Sequence, residues 1–436
     1  MQRIRQIEAE LVRVDGKLGV GKHRKMLANP YVFMRGAAQL FYADLASGLL
    51  NLPQALLSVP LTTVMGDCHL GNFGFLTEEG SHGDQVIFSP NDFDDACIGH
   101  AVWDLARFCS SLLLCVDYCQ GVSAGRYNNG TQCQGDPAVS QELGLQAMHG
   151  FLDQYLNICK ASIDVPESRM QVLKLFKKPH LLAKKQKKAV ARAAGGEQFH
   201  SKSALAKAVD LSQFPPRFRH LPDKFRPLTA ELDASVRQAF APYMDDAILD
   251  IVRRLDAGTG SANMQRFYML VGPANCASPD DLPLCHVVEV KKQRQAAPLH
   301  WFADLSQVNQ LNPAHLTAVC QRRMQRRPDL LLDEVYWQGE HYLVRSRHHA
   351  RVGIDPEDIG LGNKAVRGGF VAYAQACGQA LALAHCRGDR RSVRFETAMA
   401  DLLPGHKEAL IKAVSDYVKY QLDDCNLLKS LLKINS

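Results

Sequence analysis

Three residues near the start of the chain have types and a spacing that could do chemistry together: Asp67, Asn72 and Asp92, within VMGDCHLGNFGFLTEEGSHGDQVIFSPNDFDDACIGHAVWDLA, Val64 to Ala106. Phe73 to Leu76 and Gln85 to Phe88 read as two short strands joined by a polar, glycine-bearing turn. The residue before the first strand and those after the second then emerge at one open end. Asn72 and Asp92 meet there, with Asp67 one loop away. Hard oxygen donors of this kind suit magnesium, which takes few protein ligands and shares the rest with phosphate and water. The free carboxylate, Asp67, is then placed to orient or deprotonate a hydroxyl. Asp and Asn are also turn formers, and any one of these residues alone reads that way. The ordered set asks for more than a turn.

GDCHLGN resembles the catalytic loop of aminoglycoside phosphotransferases and choline kinases, whose pattern is H-G-D-x-H-x-x-N. DFDDACIG followed by WDLA resembles their D-[WF]-x-x-A-x-x-G and D-L-A elements. The resemblance implies Asp67 as catalytic base, Asn72 and Asp92 as metal ligands, and Asp104 as a buried brace for the loop. Met65 stands where those kinases carry the first histidine of the loop. His69 is grouped with Asp67 as a loop-supporting imidazole, its alternative being a simply packed side chain. Over most of its length the chain also resembles a bacterial family filed as domain of unknown function 2252, through NPYVFMRGAA, GDCHLGNFG, NDFDD and YAQACGQALALAH.

A kinase also needs a glycine-rich turn over the phosphates and a lysine on a neighbouring strand. The residues before Asp67 look helical and offer neither. Both occur later: Asp256 to Ser261 opens into RFYMLVGP, and VVEV ends at Lys291. Gly258, Gly260 and Ser261 with Lys291 form the expected ATP-phosphate set, although Gly-x-Gly alone is usually a turn. Lys291 and Lys292 are equivalent as strand-end charges. The Q-V-K-E-A pattern of the unknown-function family selects Lys291 and leaves Lys292 where that pattern has an acid. The helix Pro313 to Arg327 contains no acid, so the partner of the lysine stays unassigned. AYAQACGQALALAH resembles the kinase helix that runs ahead of the catalytic loop, with a Leu-Ala-x-x-His ending at His385, yet here it comes last. That order implies a circularly permuted, protein-kinase-like two-lobed α+β fold. Lys291 and Asp92 should then approach within about 10 Å, far less than the roughly 22 Å radius of gyration of a compact chain this long. The helix around Ala380 to His385 should pack beside the Asp67 loop.

Stepping from these residues to the elements that must carry them, Leu105, Ala106, Cys109, Leu112, Leu113 and Val116 recur at helical spacing and predict a buried helix from Trp103. RFYMLVGP and CHVVEVKK read as neighbouring strands, and EVYWQGEHYLVRS as a strand pair turning at Gln338-Gly339. The expected divisions are 1–60, an N-terminal helical segment; 61–250, catalytic loop, metal-binding segment and helical lobe; 251–350, a small sheet lobe; and 351–436, helices completing the helical lobe. A hydrophobic content of 46% over 436 residues supplies an ample core. No apolar run is long enough to cross a bilayer, and the 13 cysteines contain no CxxC pair, which points to reduced thiols and a cytoplasmic protein. The basic run from Lys174 to Arg192 reads as a solvated helix face or exposed loop. No recognition fold accompanies it, so nucleic acid is not an expected partner. The expected activity is transfer of a phosphoryl group, dependent on ATP and Mg, to a hydroxyl of a small molecule or protein. The alternatives are a pseudokinase-like nucleotide-binding regulatory module and a metal-dependent hydrolase built on Asp67, His69, Asp92 and Asp94, which gives Gly258, Gly260 and Lys291 no role.

Overall fold

Between Leu105 and Val116 the polar residues are Arg107, Ser110 and Ser111, and a helix so apolar on every side must be buried. The computed structural model, which describes residues 2–128, 130, 133–255 and 264–434, places it as the helix Ala101–Ser123, buried along nearly its whole length. Each serine hydroxyl is satisfied inside the helix, Ser110 on Ala106 O and Ser111 on Phe108 O. Helices Pro30–Gly36, Gln141–Asp164 and Arg394–Ile434 pack around it, and Phe370–Gly388 runs along Gln141–Asp164. The helical body is therefore built from both ends of the chain. Arg3 of the first helix, Gln2–Asp15, fastens those ends by pairing with Asp44 and with Asp424.

A six-stranded antiparallel sheet lies between these two stretches in sequence, in the order Leu332–Trp337, Glu340–Arg347, His286–Lys292, Arg266–Gly272, Ala247–Arg254, Phe225–Pro227. Alternation along the strands divides their side chains between two cores. Tyr268, Leu270 and Val287 pack with Phe199 and Leu205, while Phe267, Met269, Val288 and Val290 pack with Val236 and Phe240. Glu289 and Lys291 follow Val287 at alternate positions and carry charge instead of apolar surface. The expected Gln338-Gly339 turn is present, both residues at positive φ as a two-residue hairpin requires.

The smaller hairpin near the start of the chain pairs Phe73–Thr77 with Val86–Pro90, and Val352–Gly353 adds a third strand. One expectation needs correction. The division at 250/251 falls inside the strand Ala247–Arg254, and the sheet begins with Phe225–Pro227. A bulge between Ile248 and Asp250 shifts the register there and breaks the period-two pattern that would have marked the strand. The basic run holds the helix Leu182–Val190, with Leu182 and Ala189 inward and Lys184, Lys187 and Lys188 exposed, the solvated face expected of it. All 13 cysteines are free and all but Cys133 are buried. Among the described residues no helix is long and apolar enough to cross a membrane.

Asp44 and Asp424 are 0% and 1% exposed, so removing the guanidinium between them leaves two buried carboxylates without a cation. Arg3→Ala should lower the unfolding free energy by about 3–5 kcal/mol. A fall in the urea midpoint at constant slope would register it; an unchanged midpoint would show that the chain ends are held by apolar contacts alone.

Candidate active site

The loop that carries Asp67 is stiffened from below. Met65 N and Gly66 N donate to the two carboxylate oxygens of Asp104 at 2.6 and 3.1 Å, and His385 Nε2 lies 3.0 Å from the same group. Tyr155 Oη lies 2.7 Å from the other ring nitrogen, Nδ1, so both nitrogens of His385 are engaged. Asp104 thus holds the loop through two backbone N–H groups, and an imidazole reaches it from the helix Phe370–Gly388. The same helix sends Tyr373 O–H to Leu70 O at 2.6 Å. Gly66 is required as glycine: its φ is +74°, and a Cβ there would stand 1.9 Å from Asp95 O. That close approach seats the acidic segment against the loop.

His69 Nδ1 accepts from Gly71 N at 3.1 Å and turns the backbone into Leu70–Asn72. Burial, then Arg35 and Arg107, hold this imidazole neutral by lowering its pKa well below the usual value. Its Nε2 stays 3.9 Å from Asp67 Oδ2, so it supports the loop that carries Asp67. Asn72 Nδ2 donates to Asp67 O at 2.9 Å, which leaves its Oδ1 free for a ligand, and Asn91 N closes the hairpin end on Asn72 O at 3.0 Å.

A cleft of about 240 Å³ opens here, and Asp67, His69, Asn72, Asp92, Asp94 and Lys291 all line it. Residues far apart in sequence are therefore brought to one cleft, with Asp104 beneath the loop. Gly258, Gly260 and Ser261 lie outside the described residues; Met264, shortly after them, lines the cleft. A larger cavity of about 660 Å³ beside Thr62 is walled by arginines such as Arg322, Arg390 and Arg394, with Asp389 as its acid, and holds no comparable acid–base set.

The acidic partner that the helix Pro313–Met324 lacks is Asp94, ion-paired with Lys291 across 197 residues of sequence. Burial disfavours the Lys291 ammonium and lowers its pKa, while Asp94 opposes that shift. Burial likewise resists ionisation of Asp94, but Lys291 and Arg345 overcome it and hold the carboxyl far below its ordinary range. Asp92 fares differently. Burial and then the Asp94 charge push its carboxyl up to about 6, against the pull of Arg345 and Lys291. Behind Lys291, Glu289 is 2% exposed and gathers Arg345 at 2.9 Å, Arg266 at 3.3 Å and Arg347 at 3.4 Å.

Sequence reasoning missed two further groups. Arg107 is fully buried and donates from Nε to Asp67 Oδ1 at 2.7 Å, so Oδ2 is the oxygen left to the cleft. It is the single charge in an apolar helical run, and a buried cation of that kind always needs an acid. That signal was available. Arg294 grips Asp95 with two nitrogens at 2.8 and 2.9 Å, a pairing that no local pattern announces.

The donors free at the hairpin end are oxygens, Asn72 Oδ1 and Asp92 Oδ2, the Oδ1 of Asp92 accepting from Asp94 N at 3.3 Å, a set that fits magnesium better than a softer metal. A divalent cation there would also offset the repulsion between Asp92 and Asp94.

Because Asp92 titrates near 6 when folded and near 3.8 otherwise, the folded chain holds the extra proton between those values. Stability therefore falls as pH rises through that window, and the full penalty is present above it. Asp92→Asn removes the penalty. Without divalent cations it should be more stable than wild type by about 1–3 kcal/mol at pH 8 and no more stable at pH 4, read by urea unfolding. Equal differences at both pH values would reject the raised carboxyl.

A family model described as an uncharacterized protein conserved in bacteria (DUF2252) matches residues 15–426. No curated protein and no solved structure matches the chain.

Proposed function

The chain belongs to the DUF2252 family, and from that premise we propose that it is an ATP- and magnesium-dependent phosphotransferase acting on a hydroxyl of a small molecule or a protein. Family membership carries no chemistry of its own, so the reading rests on the site. The observation that carries it is the cleft in which Lys291, paired with Asp94, faces the loop of Asp67, Asn72 and Asp92. A cation on a strand opposite an acidic hairpin end is what holding and transferring a phosphoryl group demands.

In this reading Asn72 and Asp92 hold magnesium, which when bound neutralises phosphate oxygens. Asp67 Oδ2 orients the acceptor hydroxyl, while Arg107 on Oδ1 fixes the carboxylate plane. Phosphoryl transfer through a loose transition state asks mainly for position, which the contact with Arg107 supplies. Lys291, Arg35 and Arg351 give the wall positive charge for the phosphates, and Gly258, Gly260 and Ser261, outside the described residues, remain proposed phosphate contacts from their residue types alone. The cleft is smaller than the roughly 300–1,000 Å³ of drug-sized pockets, a size suited to the charged end of a nucleotide.

A permuted, protein-kinase-like two-lobed arrangement draws support from two contacts. The sheet that follows the catalytic loop in sequence lies over it through Lys291 and Asp94, and the later helix Phe370–Gly388 underpins it through Tyr373 and His385. The hydrolase alternative is less well supported. His69 turns Nδ1 to Gly71 and Asp94 is engaged by Lys291, so half of its four ligands are committed elsewhere.

Calorimetric titration of ATP with and without magnesium tests binding, and mass gain in a pool of hydroxyl-bearing acceptors tests transfer. Asp67→Asn keeps an oxygen for Arg107, so it should leave nucleotide affinity nearly unchanged and lower transfer by roughly 10²–10⁴-fold. Asp92→Asn should abolish the magnesium dependence of binding. Magnesium-dependent binding without transfer to any acceptor would assign the chain to nucleotide-binding regulators; absence of such binding would reject the phosphotransferase reading.

A further inference from the structure

The turn of the hairpin points away from the cleft and carries His82, where it meets two residues of the sheet. These are Asp245, just before the strand Ala247–Arg254, and His286, the first residue of His286–Lys292. His82 Nε2 lies 2.9 Å from Asp245 Oδ2, and His286 Nε2 lies 3.2 Å from Asp245 Oδ1. The imidazole centroids are 4.6 Å apart, and one donor atom from each of the three residues lies within 4.8 Å of the others.

The second observation is an unmet need. His286 is 3% exposed, yet its Nε2 makes no hydrogen bond of acceptable geometry. His349 is 2% exposed with neither ring nitrogen bonded, and it is held neutral by burial and then by His286, His348 and His82. Buried polar atoms without partners are rare and destabilising. At the cluster itself, a buried imidazole nitrogen of His286 thus sits beside a carboxylate without a well-formed hydrogen bond.

We propose that His82, Asp245 and His286 bind a divalent cation of the zinc class. Two imidazoles and a carboxylate are the ligand types zinc takes, at bond lengths of about 2.0–2.2 Å. Tetrahedral placement at those lengths separates donor atoms by roughly 3.3 Å, close to the separations from Asp245. This donor set differs in kind from the all-oxygen pair of Asn72 and Asp92, so the two sites select different metals. The ion fastens the hairpin turn to the sheet. The other end of that hairpin bears Asn72 and Asp92, and the other end of the His286 strand bears Lys291, so the ion aligns the two elements that form the cleft. The site stands whether or not the cleft transfers phosphate.

The test uses the full chain stripped by a chelator, titrated with zinc against a chromophoric indicator and with cobalt for its visible tetrahedral bands. Wild type should take one tight equivalent, show those bands and unfold at a higher temperature. His82→Gln and Asp245→Asn alter side chains 26% and 34% exposed, so folding should tolerate them. Each should weaken binding at least about 100-fold, since loss of even an outer-shell partner costs 10–100-fold, and each should abolish the bands. No zinc binding by wild type, or equal binding by His82→Gln and Asp245→Asn, would overturn the site and leave a hydrogen-bonded histidine–aspartate cluster.

Discussion

The Lys291–Asp94 pair is the constraint on which the rest of the arrangement depends. Lys291 is 1% exposed, and a buried ammonium is tolerable only beside an acid. Its own helix neighbours offer none, so the sheet has to dock where the hairpin segment presents Asp94. Separating the two would strand both charges, at a cost of about 3–5 kcal/mol for a buried pair. The docking in turn commits Arg345, which reaches Glu289 at 2.9 Å and Asp94 at 3.6 Å, and through Glu289 it orders Arg266 and Arg347. Once Asp94 has taken the lysine, Asp92 is the carboxylate left without a full share of positive charge. Burial and then the Asp94 charge raise its pKa.

The opposite wall of the cleft is held by a different device. Asp104 receives two backbone N–H groups and one imidazole in a fully buried setting, and so fixes the start of the Asp67 loop to the central helix. Met65 occupies a loop position with no polar task and is itself completely buried. The imidazole comes from His385, far away in sequence and adjacent in space. Arg107, one helical turn beyond Asp104, then sets the carboxylate of Asp67, so a single helix both braces the loop and aims its acid.

Between these two walls the hairpin acts as a strut. Its open end contributes Asn72 and the acidic segment, and its turn reaches the sheet again at His82. Ser81 Oγ donates to Arg347 O at 2.6 Å beside that turn. The strut is therefore attached at both ends to the element that carries Lys291, which restricts how far the cleft can open.

The sequence by itself determined the local identities. It marked the hairpin with its acids, the buried helix after Trp103, the paired strands around Lys291 and the turn at Gln338-Gly339, because each is written in periodicity or turn chemistry over a few consecutive residues. It determined as well that Asp67, Asn72 and Asp92 belong together, since one hairpin delivers them to one end. Only the tertiary structure decided which charge meets which: Asp94 for Lys291, Arg107 for Asp67, Arg294 for Asp95, and the sheet histidines for His82. A charged side chain records in the sequence only that it needs a partner. Which of many acids or bases fills that need depends on how strands and helices dock, and docking is set by the sum of apolar burial over the whole chain. The sheet boundary escaped for a related reason, because a bulge at Ile248 and Asp250 erased the alternation that pairing with Arg266–Gly272 restores in space.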